Sequence, residues 1–255
     1  PEERELLRFC EDFGRALEEP MGRGFLYRTD FRLRPYGARG RLASSMRAHE
    51  AYYRNYAEGW EVQALLRSRP VFGPMVERWE AMRREILGTR KWGGMAIEEL
   101  MTMRARTEAA ADPQDLKRGS GGIRDAEWIA QIGTLLTGKV APDFPRDTIG
   151  ALQRLGAEGR LSPDEVEAVS EAYRTLRGVE HAVQARSGQQ THNFPEDADG
   201  QEAVAALLGW PDSAERVEEA RERICTVYTA RLWTSHGDPA ATSEGVSEFL
   251  RRFDP

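Results

Sequence analysis

The sequence predicts an α+β protein, with a small α/β piece over 1–73 and an all-helical bundle over 74–255. Three observations carry that expectation. The block FLYRTDFRLRPYGARG at 25–40 alternates side chains with a period of two before a Pro/Gly turn. From about residue 74 onward apolar residues recur at spacings of three and four. Over that same stretch strand signals disappear.

Taken in order, residues 5–18 place Leu6, Phe9, Phe13 and Leu17 along one helical face. Gly22 and Gly24 break that helix before a strand at 25–34. In the strand Phe25, Tyr27, Thr29, Phe31 and Leu33 point one way, and Leu26, Arg28, Asp30, Arg32 and Arg34 the other. Pro35, Gly37 and Gly40 mark the turn that follows. A helix is expected over 46–58, and 66–72 reads as a short edge strand because of Pro70.

Pro74 opens a helix over 74–87 whose buried stripe is Val76, Trp79, Met82 and Ile86, leaving Arg78, Arg83 and Arg84 solvated. Further helices are expected at 95–110, 123–137, 146–157, 163–186, 200–208 and 214–234, with a polar tail after about 235. Ser162-Pro163 starts the longest as cap and first-turn proline, and Val166, Val169, Tyr173, Leu176, Val179 and Val183 run along it. No internal repeat or low-complexity tract interrupts the pattern.

Composition narrows the function classes. The 255 residues are 40% apolar and 31% charged, as in a folded globular protein. A formal net charge of -6 argues against a surface built wholly for nucleic acid, although a local cationic cleft is compatible with it. No apolar run is long enough to cross a membrane, and the start carries no signal-peptide pattern. Cys10 and Cys225 lie far apart within helical patterns, so a reduced cytoplasmic protein with packed thiols is expected. Four histidines without ligand-like spacing argue against zinc. The chain starts at Pro1 without methionine, which suggests a piece of a longer protein.

Four constellations can carry chemistry. Asp30 with Arg32 and Arg34 offers one carboxylate and two cations, suited to a divalent cation with a polyphosphate or equally to ordinary ion pairs. Gly119, Gly121 and Gly122 precede a helix whose first turn holds Asp125, with Glu127 behind. Its N–H groups, with Lys117 and Arg118, can bind phosphate; Asp125 can equally satisfy them itself. Trp60-Glu61 with Gln63, Arg67 and Arg69 lies at a helix end, Trp60 reading as core and Glu61 as an orienting acid or a surface charge. His192, in QQTH at 189–192, reads as a helix cap or an exposed side chain.

Five ordered blocks tie these features together: RTDFRLRPYGARG (28–40), GWEVQALLRSRPVFG (59–73), LKRGSGGIRDAEWIAQ (116–131), AYRTLRGVEHAVQ (172–184) and QQTHNFPED (189–197). In that order they resemble landmarks of the bacterial bifunctional glutamine synthetase adenylyltransferase/adenylyl-removing enzyme. The resemblance implies a partial nucleotidyltransferase-like α/β domain over 1–73 followed by the helical bundle. GGIRD and QQTH look more like the N-terminal half, which removes AMP from a tyrosine of glutamine synthetase by phosphorolysis to give ADP. The other half attaches AMP from ATP.

Carried over, the resemblance makes Asp30 a Mg²⁺ ligand and catalytic residue, with Arg32, Arg34 and Glu61 beside it. Lys117, Gly121, Gly122 and Arg69 become phosphate- or nucleotide-binding. Glutamine synthetase, nucleotide, phosphate and a small regulatory signalling protein are the implied partners, with no nucleic acid or membrane. Such enzymes place a Gly-Ser-like motif and an Asp-x-Asp pair upstream, and nothing before residue 25 looks like either. As a whole molecule the chain is therefore expected to be weakly active or inactive, and a noncatalytic glutamine synthetase-binding module is the competing reading.

Overall fold

The computed structural model describes residues 3–20, 22, 26–27, 29–90, 94–137, 140–141 and 143–233. The chain divides into two compact units, Pro1–Arg90 and Lys91–Pro255. All regular elements among the described residues are helical, and the one β-bridge, Asp115 with Asn193, is isolated. The α+β expectation is therefore wrong, and no α/β nucleotidyltransferase-like sheet is found among the described residues.

The first unit holds α1 (Glu3–Glu18), α2 (Met46–Asn55), α3 (Gly59–Leu65) and α4 (Val76–Thr89). The strand expected at 25–34 is replaced, over its described part, by turns from Phe31 and a 3-10 turn at Gly37–Arg39, while Phe25 and Arg28 lie outside the described residues. A strand needs a neighbour to take its backbone groups. Here they go elsewhere: Tyr27 N donates to Leu17 O at 2.9 Å, and Thr29 donates from N and Oγ1 to Glu18 at 2.9 and 2.6 Å.

The expected strand at 66–72 fails for the same reason. Leu66, Arg67 and Ser68 close the end of α3 with bonds back to Gln63, Ala64 and Leu65. Val71 and Phe72 then stand 83% and 89% exposed, with no partner strand among the described residues.

Ser45 caps α2 by accepting from Ala48 N. α4 packs on α2 and α3 around Tyr52, Val62, Leu65, Leu66, Met82, Ile86 and Leu87. Arg83, expected in solvent, is 2% exposed, and its guanidinium caps the end of α3 through Leu65 O at 2.6 Å and Leu66 O at 2.7 Å. The α1 stripe is less covered than its amphipathic pattern implied: Phe9 and Phe13 are exposed and stack at 6.1 Å.

The second unit is a bundle of α5 (Gly94–Ala109), α6 (Ile123–Leu136), α7 (Thr148–Ala157), α8 (Pro163–Ser187), α9 (Ala198–Leu208) and α10 (Ser213–Tyr228), followed by a π-helical turn, Thr229–Trp233. The long α8 is opened by a full capping box, with Ser162 and Glu165 each bonding the other's backbone N–H, and Gly188 at φ +65° ends it. Val169, Leu176, Val179 and Val183 are buried, against α10 above all, whose own buried face is Val217, Ala220, Ile224 and Val227. Each such buried Val, Leu or Ile side chain stabilises the bundle by about 1.5–3 kcal/mol.

Candidate functional site

In the first unit the Asp30 carboxylate is engaged by its neighbour. Arg32 donates to it from the backbone N at 2.9 Å, from Nε at 2.9 Å and from Nη2 at 2.6 Å. That contact raises the Arg32 pKa further above its ordinary value. Arg34 turns the other way and staples the loop, with Nη1 to Phe31 O at 2.5 Å, Nε to Gly40 O at 3.0 Å and Nη2 to Ala38 O at 3.1 Å. The loop is tight enough that a Cβ on Gly40 would sit 1.8 Å from Pro35 O.

These residues do not fit Mg²⁺ as they stand. The ion takes an octahedral oxygen shell, commonly one or two carboxylates with phosphate and water. Both Asp30 oxygens face a guanidinium, and the described residues hold no group of three His, Cys, Asp or Glu side chains that could bind a metal ion.

Glu61 is likewise spent on structure. It is the third helical residue of α3, where its Oε2 accepts Glu58 N at 2.9 Å within a capping box. Both its oxygens also accept the Tyr52 hydroxyl, at 2.7 and 2.9 Å. Burial, then that hydrogen bond, raises the Tyr52 pKa. Trp60 is half-buried, with Nε1 donating to Glu58 at 2.6 Å. Arg69 is exposed beyond α3.

In the second unit the glycine loop is closed on itself. Asp115, 0% exposed, accepts Lys117 N at 2.9 Å, Arg118 N at 2.8 Å and Arg118 Nε at 2.6 Å. Burial pushes its carboxyl up, but these donors outweigh it and hold the pKa below the usual range. The amides at the start of α6 are also taken. Ile123 N and Arg124 N donate to Leu116 O and Lys117 O at 2.9 and 3.0 Å, and Gly121 N to Asp125 Oδ2 at 2.8 Å.

Gly121 is required at φ +65°, because a Cβ there would lie 2.1 Å from Arg221 O of α10. Arg221 in turn holds Pro113 O and Asp115 O, each at 2.9 Å. The donors that a phosphate needs at this helix start are therefore occupied, and Asp125 satisfies the loop as the second reading of the sequence allowed. Lys117 keeps a half-buried side chain, with its backbone in the loop.

Sequence reasoning missed the buried polar groups that hold this geometry. Arg104 of α5 pairs with Asp125 in the interior, contacts Glu108, and lies 4.9 Å from the Tyr228 ring centroid. Glu180, 1% exposed, meets His192 Nδ1 at 2.6 Å and Arg177 Nη1 at 2.5 Å. A signal for Glu180 existed: it falls in helical phase with Leu176 and Val183, an acid on a buried stripe. His192 is half-buried rather than exposed, and its role is to hold Glu180 rather than to cap a helix.

Comparison with known proteins follows the two units. Residues 3–83 match the family model described as glutamate-ammonia ligase adenylyltransferase, and residues 96–230 match GlnD PII-uridylyltransferase. A bifunctional glutamine synthetase adenylyltransferase/adenylyl-removing enzyme from Stenotrophomonas maltophilia strain K279a is 33% identical over 243 residues, covering 91% of this chain and 26% of the relative. The chain belongs to this adenylyltransferase/adenylyl-removing family. Members from Xanthomonas campestris pv. campestris strain B100 and Pseudomonas syringae pv. tomato are 33% and 32% identical, over 88% and 96% of the chain. The chain spans about a quarter of the length of these family members, 25% and 26% of the last two.

Proposed function

We propose that the chain serves, as part of a longer enzyme, in removing AMP from a tyrosine of glutamine synthetase by phosphorolysis. The observation that carries this reading is the ordered pair of family matches, one on each compact unit. The likeness of GGIRD and QQTH to the adenylyl-removing half supports the direction. In this reading Arg32 and Arg34 shape the loop after Asp30, and Arg69 is an exposed cation left for a phosphoryl group. A cytoplasmic setting and a small regulatory signalling protein belong to the same proposal. No helix of the described residues is long and apolar enough to cross a membrane.

A noncatalytic glutamine synthetase-binding module is the second reading. It is favoured by the engagement of Asp30 by Arg32 and by the lack of a metal-binding group of three among the described residues. The test is ADP formation from adenylylated glutamine synthetase and phosphate, with and without Mg²⁺, by the wild type and Asp30→Ala. ADP that disappears in the variant supports removal. ADP unchanged by the substitution contradicts a role for Asp30, and pyrophosphate released from ATP with the unmodified synthetase marks the transfer direction. No ADP from a chain that still binds the synthetase selects the module.

A further inference from the structure

A groove of about 680 Å³ runs between α9 and the start of α10. Its floor is made of short side chains: Ala205 and Ala206 of α9, Gly209 and Pro211 of the turn, and Ala214 of α10. Gly209 ends α9 at φ +67°, and an added Cβ there would meet nothing within 4 Å, so the groove is open above it. An exposed acid stands on each helix, Glu202 on α9 and Glu215 on α10, and neither makes an ion pair among the described residues. Ser213 lines the same groove and is 2% exposed, yet none of the hydrogen bonds among the described residues uses its hydroxyl. A buried hydroxyl left unpaired is costly, so an occupant that pairs it is favoured.

Such a groove fits large apolar side chains over a floor of small ones, with cations on both flanks. Residues 234–255 lie outside the described residues, but their sequence has that make. Val246, Phe249, Leu250 and Phe253 recur at spacings of three and four, an apolar stripe on one face of a helix. At about 100° per residue, Arg251 falls on one flank of the stripe and Arg252 on the other, with Glu248 opposite. A helix this short is marginal alone in water, and a surface that takes its apolar face stabilises it.

The chain is long enough to bring the two together. α10 has 16 residues, about 24 Å at the helical rise, and the π-helical turn Thr229–Trp233 adds about 8 Å at most. Residues 234–243 (TSHGDPAATS) carry no apolar stripe, include Gly237 and Pro239, and reach about 33–36 Å when extended. That covers the way back along α10, from Trp233 to the groove at its start.

We propose that residues 244–253 form an amphipathic helix that occupies the α9–α10 groove of the same chain. Its apolar stripe lies on the alanine floor, Arg251 and Arg252 pair with Glu202 and Glu215, and residues 234–243 strap back along α10. The groove is closed to any other helix while this segment is seated. The seat stands whichever way the AMP reaction runs.

Hydrogen–deuterium exchange of the full chain, read by mass spectrometry at two protein concentrations, tests the seat. The expected result is slowed exchange over 244–253, equal at both concentrations. That protection falls by about tenfold or more in a Phe249→Asp/Leu250→Asp variant, while α8 keeps its own. Charge reversal separates this groove from other seats: Glu202→Lys/Glu215→Lys loses the protection, and adding Arg251→Glu/Arg252→Glu restores it. Exchange over 244–253 as fast as in the isolated peptide overturns the proposal. Protection that survives the two lysine substitutions places the segment elsewhere and overturns it too. Lost protection that the combined variant does not recover, with α8 still protected, does the same. Protection that rises with concentration makes the occupant a second copy of the chain and contradicts a seat within one molecule. The aspartate substitutions lie outside the bundle, so the test does not hinge on the fold of the charge-reversed protein.

Discussion

Arg104 on α5 and Asp125 on α6 form a buried two-pronged pair, and Asp125 Oδ2 also accepts the Gly121 N–H at 2.8 Å. One carboxylate thus joins two helices and closes the glycine loop, while Arg104 extends the contact to Tyr228 of α10. Burial pushes the Asp125 pKa up, against the pull of Arg104.

Removing the guanidinium strands that carboxylate in the interior. Arg104→Met is expected to cost about 3–5 kcal/mol at neutral pH. A carboxyl raised in the folded state contributes stability below its unfolded value and loses it as pH rises, so the deficit shrinks toward about pH 4. Urea denaturation of both proteins across pH checks the size and the trend.

Two glycines in the left-handed region separate conformation from crowding. Gly159, at φ +70°, has nothing within 4 Å of an added Cβ, so Gly159→Ala is expected to cost about 1 kcal/mol. Gly121→Ala meets the α10 backbone as well and is expected to cost about 3 kcal/mol or more. Thermal denaturation of the two variants side by side checks the contrast.

Glu61 predicts a stability defect before a functional one. Its partners are the Tyr52 hydroxyl and the Glu58 N–H. Tyr52→Phe is expected to lose about 1 kcal/mol, and Glu61→Ala about 2–3 kcal/mol by removing both contacts. A Glu61→Ala protein with wild-type stability, measured by chemical denaturation, contradicts the structural role.

Asp115 sets an acid limb. Its folded pKa is held low by Arg118 and Lys117, so it contributes stability above the unfolded value of about 3.9 and loses it as pH falls through the folded value. Thermal stability below about pH 4 is therefore expected to fall less steeply in Asp115→Asn than in the wild type.

The legible parts of the sequence were those set by local rules. The period of α8, its Ser162-Pro163 start and the helices from residue 74 onward follow from spacing and capping, and the structure places them within a few residues. The period-two reading of 25–34 went astray because a strand exists only with a partner, whereas Arg34 takes three loop carbonyls for itself. α3 was hidden because its seven residues are too few for a periodic signal. Asp30, Arg32 and Glu61 were visible as polar residues in telling positions, but their partners lie within the loop and across α2 and α3. Pairings such as Arg104 with Asp125, 21 residues apart, have no local signature at all.

The claim underlying both functional readings is that this chain engages glutamine synthetase. Sedimentation velocity of the full chain with the synthetase, adenylylated and unmodified, tests it most directly. The account predicts a faster-sedimenting complex, tighter with the adenylylated form. Independent sedimentation of the two proteins at concentrations of about 10 μM, within the range of transient complexes, contradicts it.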